Sequence, residues 1–200
     1  MPHERYNSDN AAMLLIDHQI GTAGWMHSGS REEMKRNTLA LAKAARATGM
    51  PVVMTSSQEH QVDVQGLLFP ELEQILPDAF AARIRRGGTV DSMADPDFAR
   101  AVEATGRKKL IMAGLLTEVC VVYPALSAVE DGFEVQVIAD ASGSGTKAGN
   151  EFALDRMRHA GVHVASTIQI LSEMVADWSK VPGPEILGVL GELYAAIDNE

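Results

Sequence analysis

The sequence holds a single cysteine, Cys120, among 200 residues. One thiol can close no intramolecular disulfide and build no thiolate zinc site, which leaves it two roles: a buried filler or a reactive nucleophile. Basic charge is scarce too, with 17 Lys and Arg against 27 Asp and Glu and a net charge of −10. A surface of that sign repels phosphodiester backbones and anionic lipid, so neither nucleic acid nor a membrane is expected as a partner. No window approaches the ~18 apolar residues of a membrane span. The polar opening stretch, residues 1–10, has no apolar signal-peptide core, and a cytoplasmic protein is expected. Internal repeats and low-complexity tracts are absent as well.

What is there suits one compact α/β domain. Hydrophobic residues make up 46% of the chain and mean hydropathy is −0.02. A chain of this length buries roughly 70% of its unfolded surface and needs no metal or disulfide staple. Acid is concentrated at the end: residues 171–200 hold six acids and one base, half of the net charge.

Short apolar runs at residues 13–16, 51–55, 82–85, 110–113, 135–138 and 162–165 read as six strands. Amphipathic segments separate them. Ser30-Arg31-Glu32-Glu33 opens a helix that Gly49 closes, and Asp95-Pro96 opens another that ends at Gly106. Val119, Val122, Tyr123, Leu126 and Val129 form a stripe expected to face the sheet. Residues 150–160 form a further helix, and Thr167 is expected to cap the one after the sixth strand. The polar stretch 56–65 and the short helical piece 70–76 suggest a loop over a site.

Parallel strands need crossovers, so this alternation predicts a three-layer α/β/α sandwich on a six-stranded parallel sheet, doubly wound in the Rossmann manner. After the Pro182-Gly183-Pro184 break, residues 184–200 read as a C-terminal helical extension of this single domain. Its face of Ile186, Leu187, Leu190, Leu193, Tyr194 and Ile197 covers either its own domain or a neighbouring subunit.

In open α/β sheets the ligand crevice lies at the carboxyl ends of the strands. Asp17 follows the first strand, Arg85 and Arg86 the third, and Cys120 opens the helix after the fourth. A helix N-terminus and a nearby cation lower a thiol's pKa, and Asp17 is placed to take the thiol proton and return it to a leaving group. Each residue also has a plain reading: Cys120 as a small hydrophobe under its helix, Asp17 as a loop carboxylate, Arg86 as a solvated base. In a 3-2-1-4-5-6 sheet Arg86 leaves a strand two places from the first, so its loop must fold back to reach Asp17. His18 is a rival base, but successive side chains at a strand end point to opposite faces, which separates it from the sulfur that Asp17 reaches. Glu59, His60 and Asp63 lie close together without any His-x-His or His-x-x-x-His spacing, so they read as a polar loop. Gly143-Ser144-Gly145-Thr146-Lys147-Ala148 matches a dinucleotide G-x-G-x-x-A pattern, yet no acid ends the next strand, and it reads as a turn.

Three blocks carry a resemblance: Leu14-Leu15-Ile16-Asp17-His18-Gln19, Ala113-Gly114-Leu115-Leu116-Thr117-Glu118-Val119-Cys120-Val121, and Ala139-Asp140-Ala141-Ser142-Gly143. Over residues 10–180 or so the chain resembles the isochorismatase-like cysteine hydrolases. Tyr123-Pro124-Ala125-Leu126-Ser127-Ala128 and Arg86-Gly87-Gly88 are similar to the YcaC-like branch. The resemblance implies a catalytic trio of Asp17, Arg86 and Cys120, a cis Leu115–Leu116 bond, and an oxyanion hole made by the backbone N–H groups of Leu116 and Cys120. It also implies substrate contacts from Gln19 and Thr117, no cofactor, and a homo-oligomer acting on a small molecule. Arg86 stands where most members have lysine, and a guanidinium cannot shuttle protons, so its expected role is electrostatic. Ser57-Gln58-Glu59 replaces the Asp-x-His metal site of nicotinamidases, which argues against that metal and against nicotinamide. The implied activity is hydrolysis of a small amide or carbamoyl-type C–N bond through a thioester. A vinyl ether hydrolase using Asp17 as acid, an idle scaffold and a thiol sensor are the alternatives.

Overall fold

Strand β1 (Ala11–Ile16) is completely buried because helices cover both of its faces: Ala11, Met13 and Leu15 join one core, and Ala12, Leu14 and Ile16 the other. It lies inside a six-stranded, wholly parallel sheet in the computed structural model, which describes residues 4–197. The ends of the polar opening stretch and of the 184–200 extension lie outside the described residues. From β1 the chain runs through α1 (Ile20–Gly24), α2 (Arg31–Thr48), β2 (Val52–Ser57), α3 (Pro70–Ile75), α4 (Pro77–Ala81) and β3 (Ile84–Arg86). It continues with α5 (Pro96–Ala104), β4 (Lys109–Gly114), α6 (Val122–Glu130), β5 (Glu134–Ile138), α7 (Lys147–His159), β6 (His163–Ala165), α8 (Thr167–Val175) and α9 (Gly183–Ile197).

The strand order is β3-β2-β1-β4-β5-β6, so the chain leaves β1 in both directions and the switch point lies between β1 and β4. Helices α2, α3, α8 and α9 pack on one side of the sheet, and α5, α6 and α7 on the other. This is the expected α/β/α sandwich.

Local chemistry accounts for the helix limits. Ser30 Oγ accepts the Glu33 N–H at 3.1 Å and Gly49 closes α2 in the left-handed region at φ 67°. Asp95 Oδ1 accepts from Asp97 and Phe98 at 3.0 and 3.2 Å, with Pro96 as the first helical residue of α5. Helix α8 departs from expectation. Ser166, not Thr167, is its cap and shares a reciprocal capping box with Gln169, while Thr167 donates its N–H and hydroxyl to Asp140 Oδ1 at 2.7 and 2.8 Å. The short helices α1 and α4 were not legible as periodic segments.

Helix α9 packs on α2 and α8 of its own chain, burying Ile186, Val189, Leu190 and Leu193, with Lys43 paired to Glu192. Leu187, Tyr194 and Ile197, expected on the same covered face, stay exposed because the covered stripe runs through Val189 instead. Among the described residues no helix is long and apolar enough to cross a membrane.

Candidate active site

Ile16 pairs with Gly114 across the switch point, and the strands come so close that a Cβ on Gly114 would lie 2.5 Å from the Ile16 carbonyl. Directly after Ile16, Asp17 takes a left-handed conformation at φ 54°, a region that Asp tolerates better than most residues and that clusters at functional sites. Its N–H is held by the Thr55 carbonyl at 2.9 Å, and its side chain is buried.

Arg86 reaches Asp17 by a different route from the one expected. It is the last residue of β3 rather than part of a loop beyond it, and no loop folds back. The side chain itself crosses β2. Nε donates to Thr55 Oγ1 at 2.9 Å, Nη1 to the Thr89 carbonyl and Nη2 to Asp17 Oδ2. The two side chains of this ion pair are 0% and 1% exposed. The fork geometry of a guanidinium suits three separate acceptors in a way a lysine ammonium would not.

Cys120, partly exposed, sits on an irregular turn. After β4 the Leu115–Leu116 bond is cis, and Thr117–Val121 forms a π-helical turn before α6. The N–H groups of Val119, Cys120 and Val121 converge on the Leu116 carbonyl at 3.0, 2.8 and 3.3 Å. The expected stripe holds in part: Val122 is buried and Leu126 and Val129 pack half-buried on the same core, alongside Val121, Ala125 and Ala128, but Tyr123 points out.

The electrostatics overturn the expectation of a thiol with a lowered pKa. Burial first, and then the Asp17 carboxylate, push the Cys120 thiol up to about 12, and Arg86 and the Leu116 backbone contact oppose this only in part. Burial raises Asp17 as well, against the opposing pull of Arg86. The carboxylate thus holds the thiol up, while the thiol's hydrogen bond pulls Asp17 down against its burial. Asp17 Oδ2 is engaged by Arg86, while Oδ1 is buried without a hydrogen-bond partner.

The two backbone groups expected to form an oxyanion hole differ. Among the described residues the Leu116 N–H has no acceptor, whereas the Cys120 N–H is occupied by the Leu116 carbonyl. Gln19 is not free to hold a ligand: Nε2 donates to the carbonyls of Ser57 and Gly66 at 2.9 and 2.6 Å, and Oε1 accepts the Ser57 N–H at 2.8 Å. It ties down the 58–66 loop. Thr117 is buried with its hydroxyl unpartnered and its N–H on the Gly143 carbonyl at 2.8 Å.

His18 turns away from the site, as strand alternation predicts. Nε2 contacts the Ala141 carbonyl at 3.0 Å, and burial lowers the ring's pKa to about 4, so it stays neutral. Glu59 is engaged by Arg83, Arg85 and Ser56. Sequence reading missed Thr55, whose only signal is its place opposite Ile16 on the neighbouring strand.

A doubly wound sheet whose switch point gathers a buried carboxylate–guanidinium pair and a cysteine-bearing turn defines the isochorismatase class of α/β hydrolases. The Isochorismatase domain model matches residues 11–169, and the chain belongs to this family of hydrolases. It is 39% identical over 177 residues, 88% of this chain and 83% of the relative, to the probable hydrolase YcaC of Escherichia coli strain K12. Two solved structures are similar over the whole chain and 98% of their own. YcaC from Pseudomonas aeruginosa, with hexane-2,5-diol and covalent acrylamide, has a TM-score of 0.89 at 37% identity. YcaC from Escherichia coli, described as an octameric hydrolase of unknown specificity, has a TM-score of 0.87 at 36% identity.

Proposed function

We propose that the chain hydrolyses a small, non-peptide amide or carbamoyl-type C–N bond through a thioester on Cys120. The observation that carries this reading is the coupling of the buried Asp17 carboxylate, fixed by Arg86, to the Cys120 thiol. A thiol held up at about 12 does not rest as thiolate. Its proton leaves for Asp17 as sulfur attacks the carbonyl carbon, so nucleophile and base act in one step. The carbonyl oxygen takes up negative charge beside the free Leu116 N–H, with the Cys120 N–H joining if the turn relaxes from the Leu116 carbonyl. Asp17 passes the proton to the departing amine as the C–N bond breaks. Water then attacks the thioester, gives a proton to Asp17, and the sulfur leaves and recovers that proton. Arg86, with each of its nitrogens engaged, moves no proton and pulls Asp17 toward its ionised form against the effect of burial.

The raised pKa of Asp17 also favours one other reading, a vinyl ether hydrolase in which Asp17 supplies a proton and Cys120 is dispensable. Amine or ammonia release over a panel of small amides and carbamoyl compounds separates the two. Cys120→Ala should lose at least about 10⁴-fold in turnover, and equal rates in both proteins would remove the thioester. We take the chain to be a homo-oligomer, as the octameric relative is. A mass of 21.5 kDa by light scattering contradicts that part.

A further inference from the structure

The glycine-rich segment 143–149, legible in the sequence only as a turn, is wrapped against the turn that carries Cys120. Leu115 bridges to Gly143, the Thr117 N–H donates to the Gly143 carbonyl at 2.8 Å, and the Glu118 N–H donates to Ser144 Oγ at 3.2 Å. In the return direction the Gly145 N–H donates to Glu118 Oε1 at 3.0 Å. The other carboxylate oxygen, Oε2, occupies the space that a side chain at position 149 would need, so that a Cβ on Gly149 would overlap it. Gly149 lies in the first turn of the 13-residue helix α7, where the partial positive charge of the helix end favours a carboxylate.

We infer that Glu118 is a positioning residue: its carboxylate, lodged between Gly145 and Gly149 at the start of α7, fixes the Cys120 turn relative to Asp17. Ser144 extends the brace to a third segment. Its carbonyl accepts the N–H groups of His27 and Ser28 at 2.9 and 3.1 Å, and its own N–H donates to Ser28 Oγ at 2.9 Å. The contacts from Gly143, Ser144 and Gly145 tie the turn to a neighbouring segment and so fix its position from outside. Misplacement of a nucleophile by 1 Å can cost on the order of 10²-fold in rate.

The turnover readout rests on the proposed C–N hydrolysis, while the thiol readout does not. Alkylation of Cys120 by iodoacetamide as a function of pH reports the thiol's surroundings directly. Glu118→Ala should release the thiol from its buried place beside Asp17, raise alkylation at pH 8 about tenfold for each unit its pKa falls, and reduce turnover by roughly 10–10²-fold. Glu118→Gln keeps the acceptor for Gly145 and should restore both readouts to within about threefold of the parent. Gly149→Ala should resemble Glu118→Ala, and adding it to Glu118→Ala should change little further, since the clash partner is gone. An alkylation profile unchanged in Glu118→Ala, or single effects that multiply in the double variant, would overturn the brace. Profiles that shift as expected in a protein that releases no amine support the brace and count against the hydrolytic reading alone.

Discussion

Helix α2 and the segment from Gly114 to Val122 are built on opposite principles. Every local preference agrees in α2: a serine cap, Glu32 and Glu33 in its first turn, Arg46 in its last and a left-handed glycine after it. Its buried face of Met34, Leu41, Ala42 and Ala45 then needs only a surface to pack on. The Gly114–Val122 segment has a π-helical turn, three N–H groups on one carbonyl and a buried unpaired hydroxyl at Thr117, and it faces a left-handed Asp17. Its shape comes from its neighbours: Ser142 Oγ on the Gly114 N–H, the Gly143 carbonyl on Thr117, and Ser144 on Glu118. Regular structure serves packing here, and imposed structure presents the thiol.

The sharpest way to break that contrast is to exchange the consequences. Cys120→Ala should abolish turnover while leaving the midpoint of urea unfolding nearly unchanged. Leu41→Ala, in the fully buried face of α2, should cost about 2–5 kcal/mol of stability while the remaining folded enzyme turns over at the parent rate. Equal losses of both properties in either variant would dissolve the distinction.

Arg86→Ala comes next in size. It strands a carboxylate that is 1% exposed and should cost about 3–5 kcal/mol, read as a large fall in denaturant midpoint. Arg86→Lys keeps the charge but loses the contacts to Thr55 and Thr89, so it should recover part of that stability.

A smaller effect tests His18, which lies beside the site without serving it. Its folded pKa is about 4 against 6.5 in the unfolded chain, so the unfolded state binds more protons between those values. Stability from this group is fully present above pH 6.5 and falls by about 3 kcal/mol as pH drops to 4. Asp17, raised in the folded state, works in the opposite sense, and the slope difference between the parent and His18→Gln isolates the histidine. Matching slopes would place His18 in contact with water.

The same contrast decides how much could be read from the sequence. Helices α2 and α5 were legible to their caps because Ser30, Gly49, Asp95, Pro96 and Gly106 act on their immediate neighbours. The alternation of strands and helices was legible from hydropathy, and with it the edge where Asp17 and Cys120 meet. The same rule put Arg85 and Arg86 on that edge, but the choice of Arg86 and the cis bond between Leu115 and Leu116 came from the resemblance, because no local rule foretells which side chain crosses a strand. Gln19 stood in a motif block, and only the structure shows its amide consumed by the Ser57 and Gly66 backbone. The stripe of α6 was legible at Val122, Leu126 and Val129, which pack on the core, and not at Tyr123, which points out. The thiol departs from expectation for a physical reason too: burial and the Asp17 carboxylate outweigh the lowering pull of Arg86.

The central claim is that burial and the Asp17 carboxylate together keep Cys120 protonated at rest, and that Asp17 takes its proton only during attack. Asp17→Asn tests it, since asparagine keeps a carbonyl oxygen for Arg86 and removes the negative charge beside the sulfur. Cys120 alkylation by iodoacetamide at pH 8 should become faster than in the parent while amide turnover falls by about 10²–10⁴-fold. Slower alkylation in Asp17→Asn would mean that the carboxylate already holds the thiol proton in the resting enzyme, and would contradict the account.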